Sequence, residues 1–189
     1  MGFTRAELES YRGRSIPDLM PARPRLVFVG INPGLWTAAT GVPFAYPGNR
    51  FYPALVAAGV IARMPRIDED GMAADDRRML LDAGIGISSI VRRATARADE
   101  LDRAELREGA ERLARDVAGW NPRVVAILGL TAYRQGFAQP RALAGRQPGD
   151  LGGAALWVVP NPSGLNAHMT VATLAEAYAE PARAAGVIS

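Results

Sequence analysis

Residues 25–52 read RLVFVGINPGLWTAATGVPFAYPGNRFY and join a buried strand to a turn with the composition of a site. Leu26-Val27-Phe28-Val29 is a short apolar run bounded by turn residues, the pattern of a strand buried on both faces of a parallel sheet. Gly30-Ile31-Asn32-Pro33-Gly34 then breaks it sharply. Pro33 forces Asn32 out of helical geometry, which holds the amide in an extended turn at the strand's carboxyl end. Ligands of open α/β sheets sit at that end, and two glycines let other groups approach the backbone.

Outward from this stretch, the chain alternates strands with helices. Further strands are expected over 85–91, 124–128 and 156–159. Helices are expected over 4–12, 50–59, 73–83, 103–120, 131–137 and 170–185. The first of these has Thr4 and Glu7 in capping-box spacing, and the second has Asn49 as its cap and Gly59 as its stop. Residues 61–72, 92–100 and 140–153 read as loops. Alternation of this kind predicts an α/β fold, a three-layer αβα sandwich around a central, mostly parallel sheet. A length of 189 residues fits one domain with a full core.

Composition excludes several chemistries. The sequence has no cysteine and no lysine. Thiol catalysis, cysteine-ligated zinc, iron–sulfur clusters and lysine Schiff bases are therefore ruled out. With His168 as the one histidine, a histidine metal site is not expected, and no metal or cofactor is predicted. A nucleotide-binding or phosphoryl-transfer enzyme is disfavoured too. No GxxxxGK[ST] can be written without lysine, and GIGISS at 84–89 lacks the third glycine of a dinucleotide fingerprint. The net charge of +3 and pI near 9.8 permit a polyanionic partner. No run approaches membrane-spanning length and no signal-peptide core opens the chain, so a soluble, cytoplasmic protein is expected, with no membrane partner.

The asparagine–proline device recurs. Asn161-Pro162-Ser163-Gly164 follows the last predicted strand as Asn32-Pro33-Gly34 follows the first. In a parallel sheet both loops would lie on one edge and face each other across one cleft. Taken singly, each is an ordinary turn.

GINPG at 30–34, GVPFAYPGNRF at 41–51 and NPSGL at 161–165 resemble the mismatch-specific uracil-DNA and thymine-DNA glycosylases of the uracil-DNA glycosylase superfamily. LLDAGIGISSIVRRATARADEL at 80–101 and VVAILGLTAYRQGF at 124–137 extend the likeness over roughly residues 20–180, leaving residues 1–20 as a peripheral N-terminal extension. The resemblance implies a monofunctional DNA glycosylase that flips a base out of the duplex and hydrolyses its N-glycosidic bond. The expected target is uracil opposite guanine, with thymine, ethenocytosine and other modified pyrimidines as further candidates. The expected partner is double-stranded DNA with G·U or G·T mismatches, bound by a monomer. The rival reading is a non-catalytic mismatch binder of the same fold.

By the same resemblance, Asn32 orients the attacking water, Phe44 stacks on the flipped base, and Ile31 and Phe44 offer backbone groups to its edge. Thr37 and Ala38 are small where strict uracil enzymes place a bulky aromatic, which implies room for a C5 substituent. Leu165 is the expected wedge, and Gly164 and Asn166 the readers of the widowed guanine. Gly30, Pro33, Gly34, Asn161, Pro162 and Ser163 shape the two loops. Asn161 stands where strict uracil enzymes carry histidine, so the reaction is expected to be slow. Trp36 is a departure, expected to pack beneath the loop or to narrow the site. His168 is expected to make a phosphate contact or a helix cap. Asp99, beside Glu100, is the candidate second carboxylate, although a cap or a pair with nearby arginines is the plainer reading. Arg92, Arg93 and Arg97 are candidates for phosphate contacts.

Overall fold

The computed structural model describes residues 2–164 and 169–189. The first half of the chain contains α1 (Arg5–Glu9), β1 (Leu26–Gly30), α2 (Leu35–Thr40), α3 (Phe51–Ala57), the short strands β2 (Ile67–Asp68) and β3 (Gly71–Met72), α4 (Ala74–Asp82) and β4 (Ile85–Ser89). The second half contains α5 (Arg103–Trp120), β5 (Val124–Leu128), α6 (Leu130–Gly136), β6 (Gly145–Leu151), β7 (Ala154–Val159) and α7 (Val171–Ala184). One sheet of order β4-β1-β5-β7-β6 forms the centre. Its strands β4, β1, β5 and β7 run parallel, and β6 pairs antiparallel with β7.

Strand β1 shows why the layers form. All five of its residues are buried, and successive side chains leave opposite faces. Leu26 and Phe28 pack with Phe51, Leu55, Leu80 and Tyr178, from α3, α4 and α7. Val27 and Val29 pack with Leu113, Val117 and Tyr133, from α5 and α6. Three layers follow, with the aromatic trio Phe28, Phe51 and Tyr178 at the centre of the first interface. Phe28 meets Phe51 edge-on at 5.3 Å between ring centroids. Fully burying each ring contributes roughly 1.5–3 kcal/mol.

Two stretches expected as loop form strands instead. Residues 145–151, expected as loop, form β6. This strand lies at the sheet's edge, with polar and exposed positions, and Pro148 falls where its register with β7 shifts between Arg146 and Asp150. Proline and glycine are tolerated at an edge because one side of the ladder is unpaired there, so the strand lacks the apolar run that marks its neighbours. Residues 67–72, also expected as loop, form the small β2–β3 hairpin. It is held by Asp76, whose buried carboxylate accepts from Arg66 N and Arg66 Nε, each at 2.9 Å, and pairs with Arg63.

The opposite edge of the sheet is also covered. Leu19 pairs antiparallel with Ile87 of β4, with amide-to-carbonyl distances of 3.0 and 2.7 Å. The chain leaves β1 for β4 on one side and later returns to β5 on the other. The carboxyl end of β1 therefore lies at a topological switch point, where the connections diverge and open a crevice.

Candidate active site

A cleft of about 900 Å³ occupies that crevice. Both asparagine–proline loops line it, as do the ends of β4 and β5. The two asparagines are used differently. Asn161 Oδ1 accepts from Ser163 N at 2.9 Å, so this side chain folds back on its own turn. Asn32 reaches across to another loop. Its Nδ2 donates to Arg93 O at 2.8 Å, to Thr95 Oγ1 at 2.8 Å and to Pro33 O at 3.2 Å. Two of these acceptors are carbonyls, and Thr95 Oγ1 spends its own hydrogen on Arg97 O at 2.7 Å. Only the amide nitrogen fits there. Asn32 Oδ1 is thereby turned away from this group of acceptors, on a residue that lines the cleft.

The backbone stitches the same two loops together. Val91 N donates to Ile31 O at 2.9 Å and Thr95 N to Pro33 O at 3.1 Å. Val91 thus engages one lone pair of the Ile31 carbonyl.

Phe44 lines the cleft with its ring against Phe51, centroids 4.2 Å apart and planes 30° apart. Its φ of 58° lies in the left-handed region, unusual for a bulky residue. The surroundings enforce it. Tyr52, whose hydroxyl burial pushes upward in pKa, donates from that hydroxyl to Pro43 O at 2.8 Å. Gly30 leaves room for the ring, because a Cβ there would stand 3.2 Å from Phe44 Cζ. Strain of this kind persists where the surrounding structure over-determines it.

Thr37 lines the cleft from α2. Ala38 does not: it is buried on the same helix outside the lining, so of the two small residues Thr37 is the one that faces a ligand. Trp36 lines the cleft and packs edge-on against Phe3 at 5.2 Å and Tyr46 at 6.3 Å. Its ring is thus part of the cleft wall, held between Phe3 and Tyr46. From the N-terminal extension, Leu8, Ile16, Pro17 and Asp18 form part of the cleft wall.

In the second motif, Gly164 sits so close to Gly48 that a Cβ would come within 2.7 Å of its carbonyl oxygen. Leu165, Asn166 and His168, the expected wedge, guanine reader and phosphate contact or cap, lie outside the described residues. Their setting involves a residue that sequence reasoning passed over. Arg50 donates through its guanidinium to Gly164 O at 3.2 Å and to Met169 O, one on each side of segment 165–168. Its backbone N donates to Pro162 O at 3.0 Å. The signal was PGNRF itself, read as a helix start and as part of the family resemblance, with no role given to its arginine.

Asp99 also lines the cleft, with its side chain 64% exposed. Arg97 grips it in a two-pronged pair, Nε to Oδ1 at 3.0 Å and Nη2 to Oδ2 at 2.7 Å. These hydrogen bonds hold the Asp99 carboxyl below its ordinary range, so it is an anion at neutral pH. Each of the phosphate-contact candidates pairs with a carboxylate: Arg92 with Asp18 and Asp116, Arg93 with Glu105, and Arg97 with Asp99. Among the described residues, no cluster of three or more His, Cys, Asp or Glu side chains could hold a metal ion, and no helix is long and apolar enough to cross a membrane.

Asn32, with its amide fixed, and Phe44 thus both line the cleft at the switch point of an α/β sandwich. The sequence profile of the Uracil DNA glycosylase superfamily matches residues 17–181, and the chain belongs to that superfamily. Membership brings the coarse function with it: a DNA glycosylase acting on uracil, a hydrolase of base-excision repair that works on DNA. The fold is similar to the solution NMR structure of a candidate uracil DNA glycosylase from Methanosarcina acetivorans. The TM-score is 0.57 at 16% identity, over 91% of this chain and 98% of that one.

Proposed function

We propose that this is a monofunctional, mismatch-directed glycosylase, a monomer that excises uracil opposite guanine and also takes C5-substituted or otherwise modified pyrimidines more slowly. The observation that carries the reading is the fixing of Asn32 by Arg93 O and Thr95 Oγ1. An amide cannot ionise, so Asn32 serves as an acceptor that orients water rather than as a base. The flipped base stacks on Phe44, and the N–H of Ile31 addresses its edge. The water oxygen bonds to deoxyribose C1′ as the C1′–N1 bond breaks. N1 keeps the electron pair, and the water's proton passes to solvent. Asp99 at the rim acts as a fixed anion facing the positive sugar, not as a proton acceptor, because Arg97 keeps its basicity low.

Thr37 supports the tolerance of C5 substituents, since its side chain is small where it meets the cleft. A methyl group is worth only ~1–3 kcal/mol of discrimination, so uracil remains preferred. Guanine selectivity is assigned to Gly164, Leu165 and Asn166, with Leu165 filling the gap in the stack. The protein would act in the compartment that holds the chromosome.

The test uses labelled duplexes containing U·G, T·G and U·A, with single-stranded U alongside, each treated with alkali after incubation. Alkali-dependent cleavage strongest at U·G is expected. Equal cleavage of all four would remove guanine recognition, and tight U·G binding without cleavage would make the protein a mismatch binder.

A further inference from the structure

The segment ahead of β1 does more than wall the cleft. The superfamily profile matches from residue 17, so residues 2–16 lie outside the matched stretch. They are fastened at both ends to elements that flank Asn32. At one end Phe3 packs edge-on against Trp36 of α2, with centroids 5.2 Å apart, and against Tyr11 at 6.4 Å. At the other, Gly13 N donates to Ala94 O at 2.9 Å and Ala94 N to Arg14 O at 2.8 Å. Arg12 adds an ion pair to Glu100 while its Nε donates to Glu9 at 2.9 Å.

The Glu100 carboxylate has a second task. Its Oε1 accepts from Arg97 N at 2.9 Å, which closes the turn over residues 97–100. Arg97 O in turn accepts from Thr95 Oγ1, and Thr95 Oγ1 accepts from Asn32 Nδ2. A continuous run of hydrogen bonds thus leads from an N-terminal guanidinium to the amide that would orient water.

We propose that residues 2–14 brace the catalytic loop, with Arg12 as a positioning residue that sets the Asn32 amide through Glu100, Arg97 and Thr95. The proposal rests on the reading of Asn32 as the water-orienting residue. The ion pair is half exposed, and such pairs add little to global stability. Its value lies in where it holds the loop. Displacing a catalytic group by up to an ångström costs on the order of tenfold to a hundredfold in rate, so a loosened loop is felt in turnover long before it is felt in melting.

The experiment compares wild type, Arg12→Ala, Glu100→Gln and the double variant, with Asn32→Ala as a control; the Gln amide oxygen can still accept from Arg97 N. Single-turnover excision from a U·G duplex is measured, together with affinity for a duplex bearing an abasic site and amide hydrogen exchange at residues 94–97. The expected result is a fall of about tenfold in turnover for each single variant, with abasic-site affinity and melting temperature unchanged. Faster exchange at Ala94 and Thr95 should accompany it, and the double variant should lose no more than either single one. Full turnover and unchanged exchange in both single variants would overturn the brace while leaving the Asn32 reading intact. Full activity of Asn32→Ala would overturn that reading and the brace with it. Losses that multiply in the double variant would also overturn the Arg12–Glu100 link, since two residues acting through one pair share one loss.

Discussion

Thr95 Oγ1 accepts from Asn32 Nδ2 at 2.8 Å and passes its own hydrogen to Arg97 O at 2.7 Å, which fixes the direction of the Asn32 amide. Thr95→Val keeps the side chain's shape and removes this acceptor. Turnover should fall by about tenfold, with little change in the affinity for product DNA. Asn32→Asp should do worse, because a carboxylate oxygen would then oppose the carbonyls of Arg93 and Pro33. Single-turnover rates across the two variants check both statements.

Gly30 and Phe44 should be coupled. Phe44→Ala removes a stacking surface worth roughly 1–3 kcal/mol, or about fivefold to a hundredfold in kcat/KM. Gly30→Ala pushes on the ring without deleting it and should lose less. The double variant should lose no more than Phe44→Ala alone, and a double-mutant cycle reads this directly.

The pH profile should be featureless where Asp99 is concerned. The pairing with Arg97 lowers its pKa, so the anion persists throughout the neutral and mildly acidic range and is lost only below the ordinary carboxyl value of 3.8. Asp99→Asn should lower turnover by about fivefold, what a unit charge contributes in a wet site, equally from pH 5 to 8. A loss confined to high pH would make it a base instead, and no loss would leave it as the partner of Arg97 alone.

Arg50 should be required for more than charge. It spans two carbonyls on either side of segment 165–168. Arg50→Lys offers a point charge in place of a planar fork and should not substitute for it. Both Arg50→Lys and Arg50→Ala should lose on the order of tenfold in kcat/KM, measured on a U·G duplex.

Acid should loosen the β2–β3 hairpin through Asp76. Hydrogen bonds from Arg66 hold its pKa below the ordinary 3.8, so its contribution to stability is complete above that value and is lost as pH falls through the lowered one. Asp76→Asn should melt earlier than wild type at pH 7, and the gap should narrow below pH 4. Thermal melts at the two pH values decide it.

The parallel strands were legible because burial on both faces writes an unbroken apolar run, as in Val124–Leu128. Strand β6 was illegible for the converse reason: an edge strand buries few side chains, here Gln147 and Leu151 among more exposed neighbours, and only Leu151 of the two is apolar. Asn32 stood out because proline and glycine follow it. The Thr95 hydroxyl that aims it did not, since Asn32 and Thr95 are 63 positions apart and no local pattern encodes the meeting. The same holds for the wall made by Ile16 and Pro17, which fall within the N-terminal extension. Asp99 and Arg97, two positions apart, lay within reach of sequence reasoning, and the arginine pair weighed there is what the structure shows.

Arg50 joins parts of the chain more than a hundred residues apart, and the loop it grips follows β7, the last strand of the sheet to be made. During synthesis the sheet can begin to form around β1, β4 and β5, but the second wall of the cleft arrives only after residue 169 has emerged. Phe51, which backs Phe44, also packs against Tyr178 of α7, so the cleft is complete on both sides only once the final helix is made.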